Sequence, residues 1–164
     1  MNQDLQKLRD DWRSCIEGDG GHCPVCDRWG KVYARSINKT MAYSLMWLLS
    51  AKQDNSGWVD VPNTAPKSVL RSNQLPTLRW WDLVERLESN DPKLKHSGMW
   101  RATGKGVDFV EKKITVPHKV FTYKGEVEAF GEKHVLITDC FEDVFDYQAV
   151  MKTLFPSPQK NLFE

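Results

Sequence analysis

Residues 66–113 read PKSVLRSNQLPTLRWWDLVERLESNDPKLKHSGMWRATGKGVDFVEKK, and the architecture of the chain can be worked outward from them. Pro66 stands where proline is tolerated, at the start of a helix whose first amides need no partner. Ser72 and Asn73 break that helix and open the next one, in which Pro76 is acceptable only within the first turn. Leu75 and Leu78 face inward at helical spacing. Trp81-Asp82-Leu83-Val84 ends the second helix and begins a strand, with Asp82 at the exit position where glycine or asparagine usually turns left-handed. Met99–Ala102 is the returning strand, so Glu88–Gly98 is the loop between the two. Lys105–Lys113 forms a last helix that packs Val107, Phe109 and Val110.

Helix, turn, short helix, strand, loop, strand, helix is the order of a winged helix-turn-helix. The run Leu75, Leu78, Trp81 to Val84, then Gly98-Met99-Trp100-Arg101-Ala102-Thr103-Gly104-Lys105-Gly106 and Phe109 resembles winged-helix regulators of the MarR-like kind. That family carries a Gly-Leu-(Ile/Val) exit and a Gly-x-(Trp/Tyr)-Arg-(Leu/Val)-Thr wing strand; Asp82 and Ala102 depart from it. With HCPVCDRWGKVYAR and ITVPHKVFTYKGEVEAFGE, the chain also resembles a group of small phage and prophage proteins. The resemblance implies a phage-encoded protein working in the cytoplasm of a bacterial host, as a duplex-DNA-binding transcriptional regulator. The alternative is a winged-helix interaction module that binds and inhibits or redirects a host protein.

Upstream, residues 3–17 put Leu5, Leu8, Trp12 and Ile16 on one helical stripe, stopped by Gly18, Gly20 and Gly21. Residues 36–51 form a second helix with Ile37, Met41, Leu45, Leu48 and Leu49 on its apolar face and Ser36 as N-cap. Gly57–Val61 is a short strand. Downstream the period changes to two: VFTYKGEVEAF is a hairpin turning at Lys124-Gly125, HVLIT a third strand, and FDYQAVMKTLF a closing helix. The expected class is therefore α+β. The winged-helix core spans 34–116, and residues 1–33 supply the N-terminal helix and cysteine knuckle. A small C-terminal antiparallel sheet and helix (117–155) pack on the same core, and 156–164 form a loose tail.

Net charge over the 164 residues is only +1. Its distribution is uneven: residues 27–75 hold seven Lys or Arg against three Asp or Glu, whereas 106–164 hold seven against ten. A basic middle suits phosphate contact. The candidate DNA-contacting residues are Lys67, Arg71, Ser72, Asn73, Gln74, Thr77 and Arg79, with Lys95 and Arg101 on the wing. Gln and Arg can read purine edges, and Lys and Ser can hold phosphate oxygens. A homodimer would supply two half-site contacts. Trp80 points outward on the helical wheel and is the anchor of the protein-binding alternative. No apolar run approaches a membrane span, and no nucleophile, paired-acid or phosphate-loop pattern suggests an enzyme.

Cys23-Pro24-Val25-Cys26 resembles the knuckle of zinc ribbons and rubredoxins. Two residues between thiolates let one turn aim both sulfurs at one ion. Structural zinc on Cys23 and Cys26 is expected, with Cys15 as the best third ligand and His22, His96, His118, His134 or Cys140 as other candidates. Metal-free thiols, a redox pair and pairing across two chains are the competing readings.

Overall fold

A computed structural model describes residues 2–94 and 96–156. In chain order it contains α1 (Asn2–Glu17), β1 (Gly21–His22), β2 (Trp29–Gly30), β3 (Tyr33–Ser36), α2 (Lys39–Ser50), β4 (Val59–Asp60), α3 (Val61–Thr64) and α4 (Lys67–Ser72). A 3-10 helix (Leu75–Trp81) follows, then β5 (Val84–Arg86), β6 (Met99–Ala102), α5 (Gly104–Val110), β7 (Val116–Pro117), β8 (Lys119–Tyr123), β9 (Glu126–Phe130) and β10 (His134–Val135). A second 3-10 helix (Ile137–Cys140) and α6 (Val144–Leu154) close it. The chain is mixed α+β with small antiparallel sheets. It folds as two compact units, Met1–Ser36 with Pro117–Lys133, and Ile37–Val116 with His134–Glu164. The grouping differs from the sequence reading, which placed the 117–130 hairpin and the closing helix on one core. Most of the expected tail, from residue 157, lies outside the described residues.

In the first unit only part of the α1 stripe is covered. Ile16 is buried and Trp12 half-buried, while Leu5 and Leu8 stand open. A Cβ on Gly30 would come within 2.7 Å of the Trp12 ring, so glycine lets β2 lie against α1. β1 and β2 pair antiparallel, Gly21 opposite Gly30 and His22 opposite Trp29, and the cysteine turn is the tip of this ribbon. β3, β8 and β9 form a second antiparallel sheet with β8 in the middle. Its hairpin turns through Lys124 (φ 52°) and Gly125 (φ 78°), the doubly left-handed pair that suits a two-residue connection.

The second unit is built around α2, which is buried on nearly all sides: Met41, Ala42, Leu45, Met46, Trp47 and Leu48 are all core. Burial on nearly all sides explains why its apolar positions exceed a single stripe. The helix starts later than expected. Asn38, not Ser36, caps it, its side chain accepting the Met41 N–H at 3.0 Å. The polar Ser44 in this core donates to the Thr40 carbonyl at 2.9 Å.

Around α2 lie α4, the Leu75–Trp81 helix, α5, α6 and β6. The sheet order is β4–β6–β5, with Val59 opposite Trp100, and Arg86 opposite Trp100 on the other side. α4 stops at Asn73, which is left-handed at φ 50°; the 3-10 helix stops at Asp82, left-handed at φ 59°. Leu75, Leu78, Trp81 and Leu83 are buried beneath that helix. Thr103 caps α5 by accepting the Gly106 N–H, and its hydroxyl donates to the Asp82 carbonyl at 2.6 Å.

Two local expectations need correction. HVLIT is not one strand: only His134–Val135 pairs, because the Asp139 carboxylate accepts the Leu136 N–H at 2.8 Å and winds the next residues into a 3-10 turn. Gly57–Val61 is not all strand: only Val59–Asp60 pairs, and Val61 and Pro62 open the short helix α3. α6 closes the unit through Tyr147, whose buried hydroxyl donates to the Val110 carbonyl at 3.0 Å.

Candidate nucleic-acid interface and the cysteine turn

In the second unit, Asn73, Pro76, Arg79, Arg86, His96 and Trp100 line an open cleft of about 530 Å³. Local structure places each of them. The left-handed cap at Asn73 turns the chain so that Pro76 and Arg79 follow on the exposed side of the next helix. Leu75 and Leu78 hold that helix down from beneath. Arg86 and Trp100 are register partners on neighbouring strands and so share one face of the sheet. The Arg86 guanidinium lies 5.7 Å from the Trp100 ring centroid. Arg86 Nη1 donates to His96 Nδ1 at 2.8 Å, which puts the neutral ring's proton on Nε2. A smaller groove of about 180 Å³ continues from the cleft over Val61, Pro62, Val69, Leu70 and Leu75, giving it an apolar margin.

The sequence-derived residues divide among several environments. Arg79 and Asn73 line the cleft. Lys67 and Arg71 are exposed on α4, four residues apart and so on one helical face. Ser72, Gln74 and Thr77 are half-buried and donate to nearby carbonyls: Ser72 to Val69 at 3.1 Å, Gln74 to Ser72 at 3.1 Å, and Thr77 to Gln74 at 2.5 Å. These donors are engaged in shaping the turn rather than presented outward. Arg101 leaves the cleft altogether. Strand alternation turns it to the face opposite Trp100, where it pairs with Glu85 and stacks 4.2 Å from the Trp58 ring centroid. Trp80 is half-buried, not an exposed anchor. Lys95 lies outside the described residues. Arg86 was absent from the sequence reading. Its opposition to Trp100 was the only signal for it, and that requires the register of the two strands.

In the first unit the cysteine turn is a tight loop held by its own backbone hydrogen bonds. The Cys23 N–H donates to the Arg28 carbonyl at 2.8 Å and the Asp27 N–H to the Cys23 carbonyl at 2.9 Å. Asp27 takes the left-handed conformation, φ 58°, that lets the chain leave so tight a turn. The amides of Cys26 and then Val25 donate to the Cys23 sulfur and hold its thiol below the usual range, with Lys124 adding a favourable charge. Cys23, Cys26, Arg28 and Lys124 line one pocket of about 140 Å³ with Trp12, Trp29 and Tyr123. Cys15 does not join them: its Sγ sits 3.3 Å from the Gly20 carbonyl oxygen, packed against Gly21. His22 Nδ1 lies 2.9 Å from the Asp27 carbonyl oxygen, a bond that engages one of the two ring nitrogens. Among the described residues no three His, Cys, Asp or Glu side chains gather into a metal-holding group. Cys140 is elsewhere, in the second unit; burial, aided by Asp139, pushes its thiol up to about 11.

No helix among the described residues is long and apolar enough to cross a membrane. Compared with protein-family models, with curated proteins and with solved structures, the chain matches none.

Proposed function

We propose that the second unit is a winged-helix module that binds duplex DNA, with the Arg79–Arg86–His96 cleft against the phosphate backbone. Its role is that of a transcriptional regulator. The order α2, β4, the short α3, α4, 3-10 helix, β5, loop, β6 supports the winged-helix reading. So does the sheet order, in which the first strand lies beside the third. The observation that carries the DNA reading is the convergence of two guanidinium groups and an imidazole on one open cleft. Arginine forks match phosphate oxygens two at a time. Lys67 and Arg71 extend the positive surface along α4.

Binding of this kind is dominated by phosphate contact. The donors of Ser72, Gln74 and Thr77 serve the local backbone, so base discrimination falls mainly to Asn73. Modest sequence preference and steep salt dependence are the expected signature.

The test is a fluorescence-anisotropy titration of mixed-sequence duplex at two salt concentrations. Arg79→Ala and Arg86→Ala should each lower the slope of log K against log salt by about 0.9, one phosphate contact apiece. Arg101→Ala, on the other face and paired to Glu85, should leave the slope alone. Equal slopes for all four proteins overturn the assignment of the cleft. Absence of binding even at about 50 mM salt rejects the DNA reading, and transfers the module to the alternative of a host-protein partner.

A further inference from the structure

We propose that the cysteine turn is half of a zinc site, completed by a second copy of this chain: Cys23 and Cys26 from each protomer hold one ion between two molecules. This stands independently of the DNA reading. A structural zinc site takes four ligands in a tetrahedron. The turn presents two sulfurs, and the residues expected to complete the set within the chain are committed elsewhere. Cys15 faces the Gly20 carbonyl, and His22, whose Nδ1 bonds the Asp27 carbonyl, does not group with both cysteines. No third His, Cys, Asp or Glu joins the pair among the described residues. Two identical turns related by a twofold axis supply four sulfurs.

The surroundings of the turn fit this arrangement in two ways. The first is charge. Four thiolates around Zn²⁺ carry a net charge of −2, and Arg28 and Lys124 line the same pocket as the two cysteines. Two copies therefore bring four cations to that centre. The second is apolar surface. Cys23 also borders a groove of about 230 Å³ walled by Leu5, Leu8, Trp12, Pro24 and Val25, with Arg9 at its side. Leu5 is 48 % exposed, Leu8 45 % and Val25 83 %. The α1 stripe runs past its own unit's core onto this groove, leaving apolar side chains open beside an incomplete ligand set. A second copy of the same turn covers them while delivering the missing sulfurs, as a self-complementary interface requires.

Assembly is a ligand exchange without change of oxidation state. Zn²⁺ forms four Zn–S bonds, four thiol protons pass to solvent, and the waters on the ion are released.

The full chain, purified without chelator under reducing conditions and supplied with Zn²⁺ alone, should contain one zinc per two chains by elemental analysis. It should run as a dimer by light scattering. Removing zinc with a chelator should give monomers, and adding Zn²⁺ back should restore the dimer. Cys23→Ser with Cys26→Ser should lose both metal and dimer, whereas Cys15→Ser should keep both. Val25→Asp retains all the ligands and should weaken the dimer at least tenfold. One zinc per monomer, or loss of zinc in Cys15→Ser, overturns the proposal in favour of a site within one chain. A dimer indifferent to the chelator overturns it, as does a metal-free folded protein.

Discussion

Two glycines in one short helix should respond oppositely to the same substitution. A Cβ added to Gly106 would lie 2.2 Å from the Leu83 carbonyl oxygen, 3.1 Å from its carbonyl carbon and 3.4 Å from Leu45 Cδ1. Comfortable carbon contacts begin at about 3.5 Å, so α5 would have to retreat by roughly 1 Å. The obstacle is backbone, and the same Leu83 carbonyl accepts the Thr103 N–H at 3.1 Å. Retreat therefore strains the cap that joins α5 to the exit of the 3-10 helix. Alanine recovers about 0.8–1.0 kcal/mol of helix propensity, but overpacking costs about 1–3 kcal/mol, and a clash with main chain belongs at the upper end. The net expectation for Gly106→Ala is a loss of about 2 kcal/mol, or a fall of about 4–8 °C in Tm. At Gly104 nothing lies within 4 Å of the added Cβ. Gly104→Ala should therefore be neutral or stabilising by up to about 1 kcal/mol. Urea unfolding followed by tryptophan fluorescence, with thermal melts by circular dichroism, measures both. If Gly106→Ala is as stable as Gly104→Ala, the close seating of α5 on Leu83 is wrong.

Two further outcomes follow from backbone conformation and burial. Asp82 is exposed and left-handed at φ 59°, so Asp82→Ala should destabilise by roughly 1 kcal/mol in the same urea assay while Asp82→Gly does not. Iodoacetamide at pH 8, read by mass spectrometry of peptides, should label Cys23 first and Cys140 last. A thiol at about 11 is ionised a hundredfold less than one at the ordinary 9.0. Because burial raises the folded value above the unfolded one, the contribution of Cys140 to stability is complete below about pH 9. It declines as the pH rises toward 11.

Legibility in the sequence followed the range of the interactions. Breaks and exits written in single residues were readable: Asn73 ends α4, Asp82 turns left-handed, and Lys124-Gly125 makes the hairpin turn. Each depends on the residue's own φ preference. Two-residue strands such as Val59–Asp60 carry no period and take their length from pairing. The two-unit division was hidden because Tyr33 pairs with Thr122 across most of the chain, and nothing local records such a partner. At the cleft, Arg79 was visible from helical spacing. Arg86 and Arg101 were not separable, since both are arginines on the paired strands β5 and β6 and only the register turns one toward Trp100 and the other toward Glu85. Ser72, Gln74 and Thr77 looked like DNA contacts because their hydrogen bonds to adjacent carbonyls are invisible in a one-letter string.

The β3–β8 pairing has a temporal consequence. Ser36 faces Lys119 across the sheet, so everything between them is a closed loop whose ends are register neighbours. Closing a flexible loop of that length costs ~4 kcal/mol in its length-dependent entropy alone. A folded second unit has already confined most of that segment, so the sheet of the first unit forms more cheaply once its insert is folded. At ribosomal rates of about 5–20 residues per second, Cys23 and Cys26 leave the tunnel roughly 5–20 s before Tyr123 and Lys124 can reach them. During synthesis the two thiols are thus presented on an unfinished unit, in reach of metal ions and of neighbouring nascent chains, before the hairpin that completes their pocket exists.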